Sequence, residues 1–544
     1  MTTPSGAGQP RPASGVAPRL LPVREPRRRN LAAIVMAAGL GKRMRSKRVK
    51  VLHPVAGRAM VLYAVDLADR LAASGTCVVV GHQGEQVQAV VEARDRVGRP
   101  GGQMPPLFFA EQKEQRGTGH AVMQARGVFA RARSAPATDY LILNGDTPLL
   151  REATVRELLH AHETKRAAVT ILTTVLADPR GYGRVIRQAG RERDGAVLRI
   201  VEDRDATQAE AAVREINVGT YVVNGSFLFE ALDKIEPKNA QGEYYLTDIV
   251  GLAVERGLGV AALAVADPDE GMGVNTRRQL ADAERVMRAE IAERWMEAGV
   301  TLHDPASIRI DADVSIGQDT EIFPNVAVEG RTRIGEDCTI RSHTRLSDCT
   351  LGRGVTVLDA CVLREATLDD ETTVGPFAHL RPGTVLKAHA KVGNFVELKK
   401  AELGEGSKAN HLTYLGDARI GRRVNIGAGT ITCNYDGVSK FETVIEDEVF
   451  VGSDSQFVAP VTVGRGALIA AGSTITANVP PDALAISRTA QINQPGWAAR
   501  RRAVAAASAG GRREAHDSKT RPKSSGSHPA DRVSGRNLTK KGKR

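Results

Sequence analysis

Two clusters of side chains in this sequence have the types and spacing for chemistry. The first opens in LAAIVMAAGLGKRMRSKRVKVLHP, residues 31–54, where an apolar run leads through Ala37, Ala38, Gly39 and Gly41 to Arg43 and Lys50. Small residues let a backbone approach a ligand closely, and the cations behind them suit an anion. The glycines fit neither G-x-G-x-x-G nor G-x-x-x-x-G-K-[ST], so neither a dinucleotide fingerprint nor a P-loop is expected; taken singly, a glycine turn after a strand is most often only a tight turn. Asp146 follows the apolar run YLIL at the carboxyl edge of a strand, where a carboxylate can hold Mg2+ or cap a helix. The second cluster lies far along the chain. LRPGT at 380–384, NFVELKK at 394–400, HLTYLGD at 411–417 and CNYDG at 433–437 set Arg, Lys, His, Tyr and Asn into otherwise aliphatic sequence. An imidazole such as that of His411 is the residue type for a general base near neutrality. A lone histidine is more often structural; the polar residues crowded around this one favour chemistry.

These clusters call for two kinds of scaffold. From residue 31 to about 265, strand-like runs (LAAIVMA, TCVVVG, DYLILNGD) alternate with helical ones (AMVLYAVDLADRLAAS, HAVMQARGVFARA). That alternation predicts an α/β domain of βαβ units, which binds ligands at the carboxyl ends of its strands. Gly39 and Asp146 both stand at such ends. The segment from 276 to 299, TRRQLADAERVMRAEIAERWMEAG, predicts a linker helix. Past 305 the period becomes six: Ile316, Ile322, Val328, Ile334, Ile340 and Leu346, and later Ile445, Val451, Phe457, Val463, Ile469 and Ile475. One inward aliphatic per six residues, three to a coil, is the hexapeptide β-helix pattern. Slips of five occur at 346/351, 363/368 and 398/403, and the longer step from Thr432 to Ile445 predicts that CNYDGVSKFE is a loop thrown out of a coil. The period leaves the hand of the coil open, and a bare scaffold or trimerisation stalk would show it too.

Charge and cysteine usage narrow the function class. The chain has 544 residues, 42% of them hydrophobic, enough for two or three cored domains. Its formal +12 belongs to its ends: residues 1–30 carry +5 and residues 499–544 carry +11, which leaves about −4 for the middle. Both ends are rich in Pro, Ala, Gly, Ser and cations with almost no aromatics, so they are expected as disordered basic tails, solubilising more than nucleic-acid-specific. Five cysteines without C-x-x-C pairing argue against disulfides or a zinc site and fit a reducing cytoplasm. No apolar leader core and no run of 18 apolar residues occurs, so neither secretion nor a membrane span is expected.

Taken together, the GLGKR loop, EQRGTGH at 114–120, NGDTP at 144–148, GYGR at 181–184, VED at 201–203, EINVG at 215–219 and GVN at 273–275 resemble a sugar nucleotidyltransferase. Joined to the second cluster they resemble the family of bifunctional N-acetylglucosamine-1-phosphate uridylyltransferase/glucosamine-1-phosphate N-acetyltransferases, over roughly residues 31–497. The resemblance implies a Rossmann-like α/β nucleotidyltransferase domain (31–275), a linker helix (276–304) and a left-handed parallel β-helix acetyltransferase domain (305–497), between disordered tails (1–30 and 498–544). It implies acetyl transfer from acetyl-CoA to glucosamine 1-phosphate, then coupling of the product to UTP with release of pyrophosphate. It further implies a cytoplasmic homotrimer that feeds cell-envelope precursors, with no specific nucleic-acid or membrane partner.

Carried over by motif, Met36, Ala37, Ala38, Gly39 and Gln112 contact the nucleotide, with Gly117 and Thr118 near the base and Asn144 and Gly145 at the strand end. Lys50 and Arg43 neutralise phosphate charge, Asp146 and Asn275 hold Mg2+, and Gly183, Glu202 and Asn217 line the sugar side. In the second half His411 is the base. Arg381, Lys399, Tyr414 and Asn425 bind the sugar phosphate; Ala428, Asn434, Tyr435, Ser453, Ala471 and Arg488 contact acetyl-CoA. Two positions depart from the family pattern: Val49 stands where proline usually precedes the loop lysine, and Asn144 where an aromatic often precedes Gly-Asp. Two rivals remain open at this stage, a different sugar nucleotidyltransferase with a purely regulatory β-helix and a non-catalytic assembly protein of the same plan.

Overall fold

Leu31–Val35 are almost wholly buried, as a strand covered on both faces must be. In the computed structural model, which describes residues 30–72, 74–95, 105–131, 137–188 and 195–517, this strand lies in the interior of the first sheet. The strands of this half are β1 (Leu31–Ala37), β2 (Pro54–Val55), β3 (Arg58–Ala59), β4 (Thr76–Val80), β5 (Leu107–Glu111), β6 (Asp139–Asn144), β7 (Val169–Val175), β8 (Arg184–Arg187), β9 (Val197–Val201), β10 (Glu215–Asn224) and β11 (Val260–Ala264); β2 and β3 form a hairpin apart from the sheet. The sheet runs β11-β7-β10-β6-β1-β4-β5, and β8 and β9 extend from β10. Strand β1 is parallel to both β4 and β6. The chain therefore winds outward from β1 through β4 and β5 and returns to β6 on the other side. This reversal opens a crevice at the carboxyl ends of β1 and β6, where such sheets bind ligands.

The predicted linker helix spans Arg277–Glu297, with Thr276 capping its first turn through Oγ1. Parallel coils follow, beginning at Thr301–Leu302, four residues before the expected start. Each coil has three short strands, and inward aliphatics stack from coil to coil: Ile322 pairs with Ile340, Ile340 with Val357 and Val357 with Val374. The slips of five leave this ladder unbroken, because Ile334 pairs with Leu351 and Leu351 with Leu368, so a coil simply closes one residue short. The long step is a loop: after Ile431–Cys433 the chain leaves the coil, turns back through a Tyr435–Lys440 bridge and re-enters at Thr443–Ile445 beside Ile420.

The chain divides after Ile486 into two units, the second starting at Ser487. The expectation of disorder from 498 onward is corrected over its first part, since Trp497–Asp517 is a helix. Its sequence, WAARRRAVAAASAGGRREAHD, is dominated by Ala and Arg, whose intrinsic helix propensity acts without any burial. The remaining tail expectations, at 1–29 and 518–544, lie outside the described residues. Among those described, no helix is long and apolar enough to cross a membrane.

Candidate active sites

The crevice between β1 and β6 gathers the first cluster. The Gly145 amide donates to Met36 O at 2.9 Å, and the Val274 amide to Asp146 O at 2.9 Å, so three distant segments are knitted by backbone. Lys50 reaches into their junction: its ammonium is ion-paired with Asp146 Oδ2 and donates to Asn275 Oδ1 at 3.1 Å. Gly41 makes this possible. It sits at φ 58°, and a Cβ there would fall 2.6 Å from Lys50 Cβ. Val49 adopts φ −54°, a value open to proline, so its departure leaves the approach to Lys50 unchanged. Arg43 is exposed on the short turn Lys42–Met44 and faces solvent.

The residues expected to contact the nucleotide lie on β1 and β6 and in the segments that follow β1, β5 and β6. Ala37 and Ala38 are buried at the end of β1 and Gly39 is exposed beyond them. The buried Gln112 donates through Nε2 to Gly117 O at 3.0 Å, and Thr118 Oγ1 accepts from the Leu246 amide at 3.0 Å. Gly117 is at φ 104°, where a Cβ would meet Tyr244 O at 2.5 Å. Asn144 donates weakly to Val218 O at 3.4 Å and lies over Gly219. Among the residues expected at the sugar, Gly183 O accepts from the Asn217 amide at 2.9 Å, and Asn217 Nδ2 donates to Tyr221 Oη at 2.6 Å. Burial pushes the Glu202 carboxyl above its usual range, opposed by the Thr247 hydroxyl, which donates to Glu202 Oε1 at 3.1 Å. Gln115, which donates to Ala38 O at 2.7 Å, and Thr247 are contacts that motif reading missed; both lie within conspicuous runs, EQRGTGH and YYLTD.

In the coils, register does the positioning. Asn394 pairs with His411, one coil apart, and their side chains meet at 2.8 Å between Oδ1 and Nδ1. With the carbonyl oxygen as acceptor, the neutral ring carries its proton on Nδ1 and its lone pair on Nε2. The pairings Lys408–Asn425, Asn425–Phe450 and Phe450–Leu468 place the residues three further on, His411, Ala428, Ser453 and Ala471, in one column. Backbone bonds follow the same column: the Asp454 amide donates to Ala428 O at 2.7 Å and the Gly472 amide to Ser453 O at 2.8 Å. On the adjoining wall Leu380 pairs with Leu398 and Lys399 with Gly416, which stacks Arg381 and Lys399; Arg381 also donates to Glu397 at 2.8 Å.

The Tyr414 ring covers the face of Gly416, and Asn425 lies half-buried one coil beyond Lys408. Across from Lys399 stands Lys440 of the extruded loop, and its proximity, ahead of Arg381, pushes the Lys399 ammonium below its usual range. Cations forced together in this way suit an anion. Lys440 and Asn394 were not among the expected site residues. The loop is tied back where Asn434 Nδ2 bonds Asp417 Oδ2, while Tyr435 is exposed and donates to Gly437 O at 2.6 Å. Arg488 belongs to the second unit.

Known families match both halves. The MobA-like NTP transferase domain matches residues 33–214, and the bacterial transferase hexapeptide, as six repeats, matches 442–477. The bifunctional protein GlmU of Geotalea uraniireducens is 50% identical over 468 residues, 86% of this chain and 98% of that one. The chain belongs to the bifunctional GlmU family. GlmU of Geobacter metallireducens is 51% identical over 87% of this chain and 99% of its own, and GlmU of Shouchella clausii 46% over 86% and 98%. Membership sets aside both rivals. Like the GlmU proteins, this one is a bifunctional enzyme of UDP-N-acetylglucosamine synthesis, with a uridylyltransferase half and an acetyltransferase half.

Proposed function

We propose that Asp146 and Asn275 hold Mg2+ for uridylyl transfer and that His411 is the general base for acetyl transfer. The observation that carries the first assignment is the convergence of Asp146 Oδ2 and Asn275 Oδ1 on one cationic point, the Lys50 ammonium. Two oxygens meeting at a cation suit Mg2+, and these two side chains would hold it. Bound there, the ion would supply charge neutralisation on the phosphates. An oxygen of N-acetylglucosamine 1-phosphate attacks the α-phosphorus of UTP in line, and the bond to pyrophosphate breaks. Lys50 and Arg43 offset the negative charge that gathers there. Met36, Ala37, Ala38, Gly39, Gln112, Gly117 and Thr118 hold the nucleotide, while Gly183, Glu202 and Asn217 orient the sugar.

In the coil half the free Nε2 of His411 takes the proton as the amine of glucosamine 1-phosphate attacks the thioester carbonyl, and the CoA thiolate leaves. Arg381 and Lys399, joined by Lys440, receive the phosphate, and Tyr414 and Asn425 the sugar hydroxyls. Acetyl-CoA lies along the Ala428–Ser453–Ala471 column with Asn434 and Tyr435. Phe377 and Phe395 stack with ring centroids 5.4 Å apart, and these two and Leu412, which follows His411, are exposed, an apolar strip that another copy could cover in a homotrimer. A cytoplasmic setting agrees with these substrates. The test is Asp146→Ala: pyrophosphate release should vanish while thiol release from acetyl-CoA persists. Equal loss of both in folded protein would overturn the division of labour.

A further inference from the structure

The linker helix presents Arg277 and Glu284 seven residues apart, hence on the same face, and both grip the segment that carries Lys50. Arg277 donates through Nε to Met44 O at 3.2 Å, and its guanidinium meets His53 Nδ1 at 3.3 Å. Two turns on, Glu284 accepts from the Ala56 amide at 2.6 Å, and the Ala312 amide of the first coil donates to Ala56 O at 2.9 Å. Thus Met44 and His53, which flank Lys50 on either side, are fastened to one guanidinium. That guanidinium sits two residues past Asn275, the other partner of the Lys50 ammonium.

We propose that Arg277 is a positioning residue for uridylyl transfer: by bridging Met44 O and His53 Nδ1 it holds the segment that carries Lys50 at the crevice beside Asp146 and Asn275, and His53 serves as its acceptor. A guanidinium can only donate, so His53 must offer Nδ1 as a lone pair and carry its proton on Nε2. Burial, and then Arg277 and Arg48, hold the His53 imidazole below its usual range, which keeps it neutral for this purpose. His53 is 4% exposed and its Nε2 is buried without a hydrogen-bond partner among the described residues. An apolar side chain would fill that space more cheaply. The histidine is explained by its acceptor nitrogen.

The test uses the whole enzyme and four variants: Arg277→Ala, Arg277→Lys, His53→Leu and the Arg277→Ala/His53→Leu pair. A misplaced Lys50 slows chemistry more than binding. Arg277→Ala should therefore lower kcat of uridylyl transfer roughly 10- to 100-fold with the KM for UTP within about threefold. Acetyl transfer per chain, read in the same samples, should stay normal and report folded protein. His53→Leu breaks the same bridge from the loop side, away from Asn275, so its kcat should fall similarly and the pair should be no worse than either single change. Arg277→Lys, which keeps one donor, should recover part of the loss. Near-normal kcat in Arg277→Ala, or multiplicative losses in the pair, would overturn the proposal. A variant that loses acetyl transfer as well would count against it, because the bridge would then be holding the fold and not Lys50.

Discussion

Replacing His411 by Ala removes the free Nε2 and should slow acetyl transfer by roughly 10²- to 10⁴-fold, the range for a positioned acid–base group. The structure adds a graded control. Asn394→Ala leaves the imidazole but deletes the 2.8 Å acceptor of its Nδ1 proton. One hydrogen bond is worth about 1 kcal/mol, about fivefold in rate, so Asn394→Ala should lose about five- to tenfold. The double variant should match His411→Ala alone, because Asn394 acts through the ring. Thiol release from acetyl-CoA with glucosamine 1-phosphate measures turnover, and melting temperature and CoA binding measure integrity. His411 is exposed at a coil corner, so its loss should barely move the melting temperature. A stable, CoA-binding His411→Ala enzyme with undiminished turnover would refute the assignment, and so would an Asn394→Ala loss as deep as that of His411→Ala.

Gly41→Ala forces a side chain into φ 58° and within 2.6 Å of Lys50 Cβ; it should cost about 1–2 kcal/mol of stability and slow pyrophosphate release at least about tenfold, with acetyl transfer retained. Burial and the nearby Asp205 push the Asp248 carboxyl up to about 6. The folded state then holds this proton where the unfolded chain has lost it, so stability falls as pH rises from about 4 to about 6. Asp248→Asn should flatten the melting temperature across that window and gain on the order of 2 kcal/mol at neutral pH; an unchanged slope would contradict the burial argument. A chain trimmed to residues 28–498 should keep both activities within about tenfold of the full chain, measured by pyrophosphate and thiol release.

Periodic features read well from sequence because repetition reinforces a weak local signal. The six-residue spacing exposed the coils, and its one long interval located the extruded loop at Asn434–Glu442. The start at Thr301 was missed because no earlier repeat sets its phase. Lys50, Asp146 and Asn275 could be named by motif, although their meeting depends on a sheet reversal that no local pattern encodes. Asn394 lies seventeen residues before His411, and recognising it as the ring's partner requires knowing that this coil closes one residue short. Lys440 needed the path of its loop. The helix at Trp497–Asp517 was hidden by weighing burial alone, when local Ala and Arg propensity was enough to form it.

Because Ile334 and Leu351 occupy the same rung and each is followed by glycine, the stretch Gly335–Leu351 is a removable module. Excising it joins Ile334 to Gly352 and restores every ladder above. The spacer between the nucleotidyl crevice and the acetyl column would then be shorter by one rise of about 4.8 Å. Each coil touches only its neighbours, so the architecture can lengthen or shorten in such quanta while the stack from Arg381 to Ala471 stays whole. The separation of the two chemistries can thus change in evolution independently of either one.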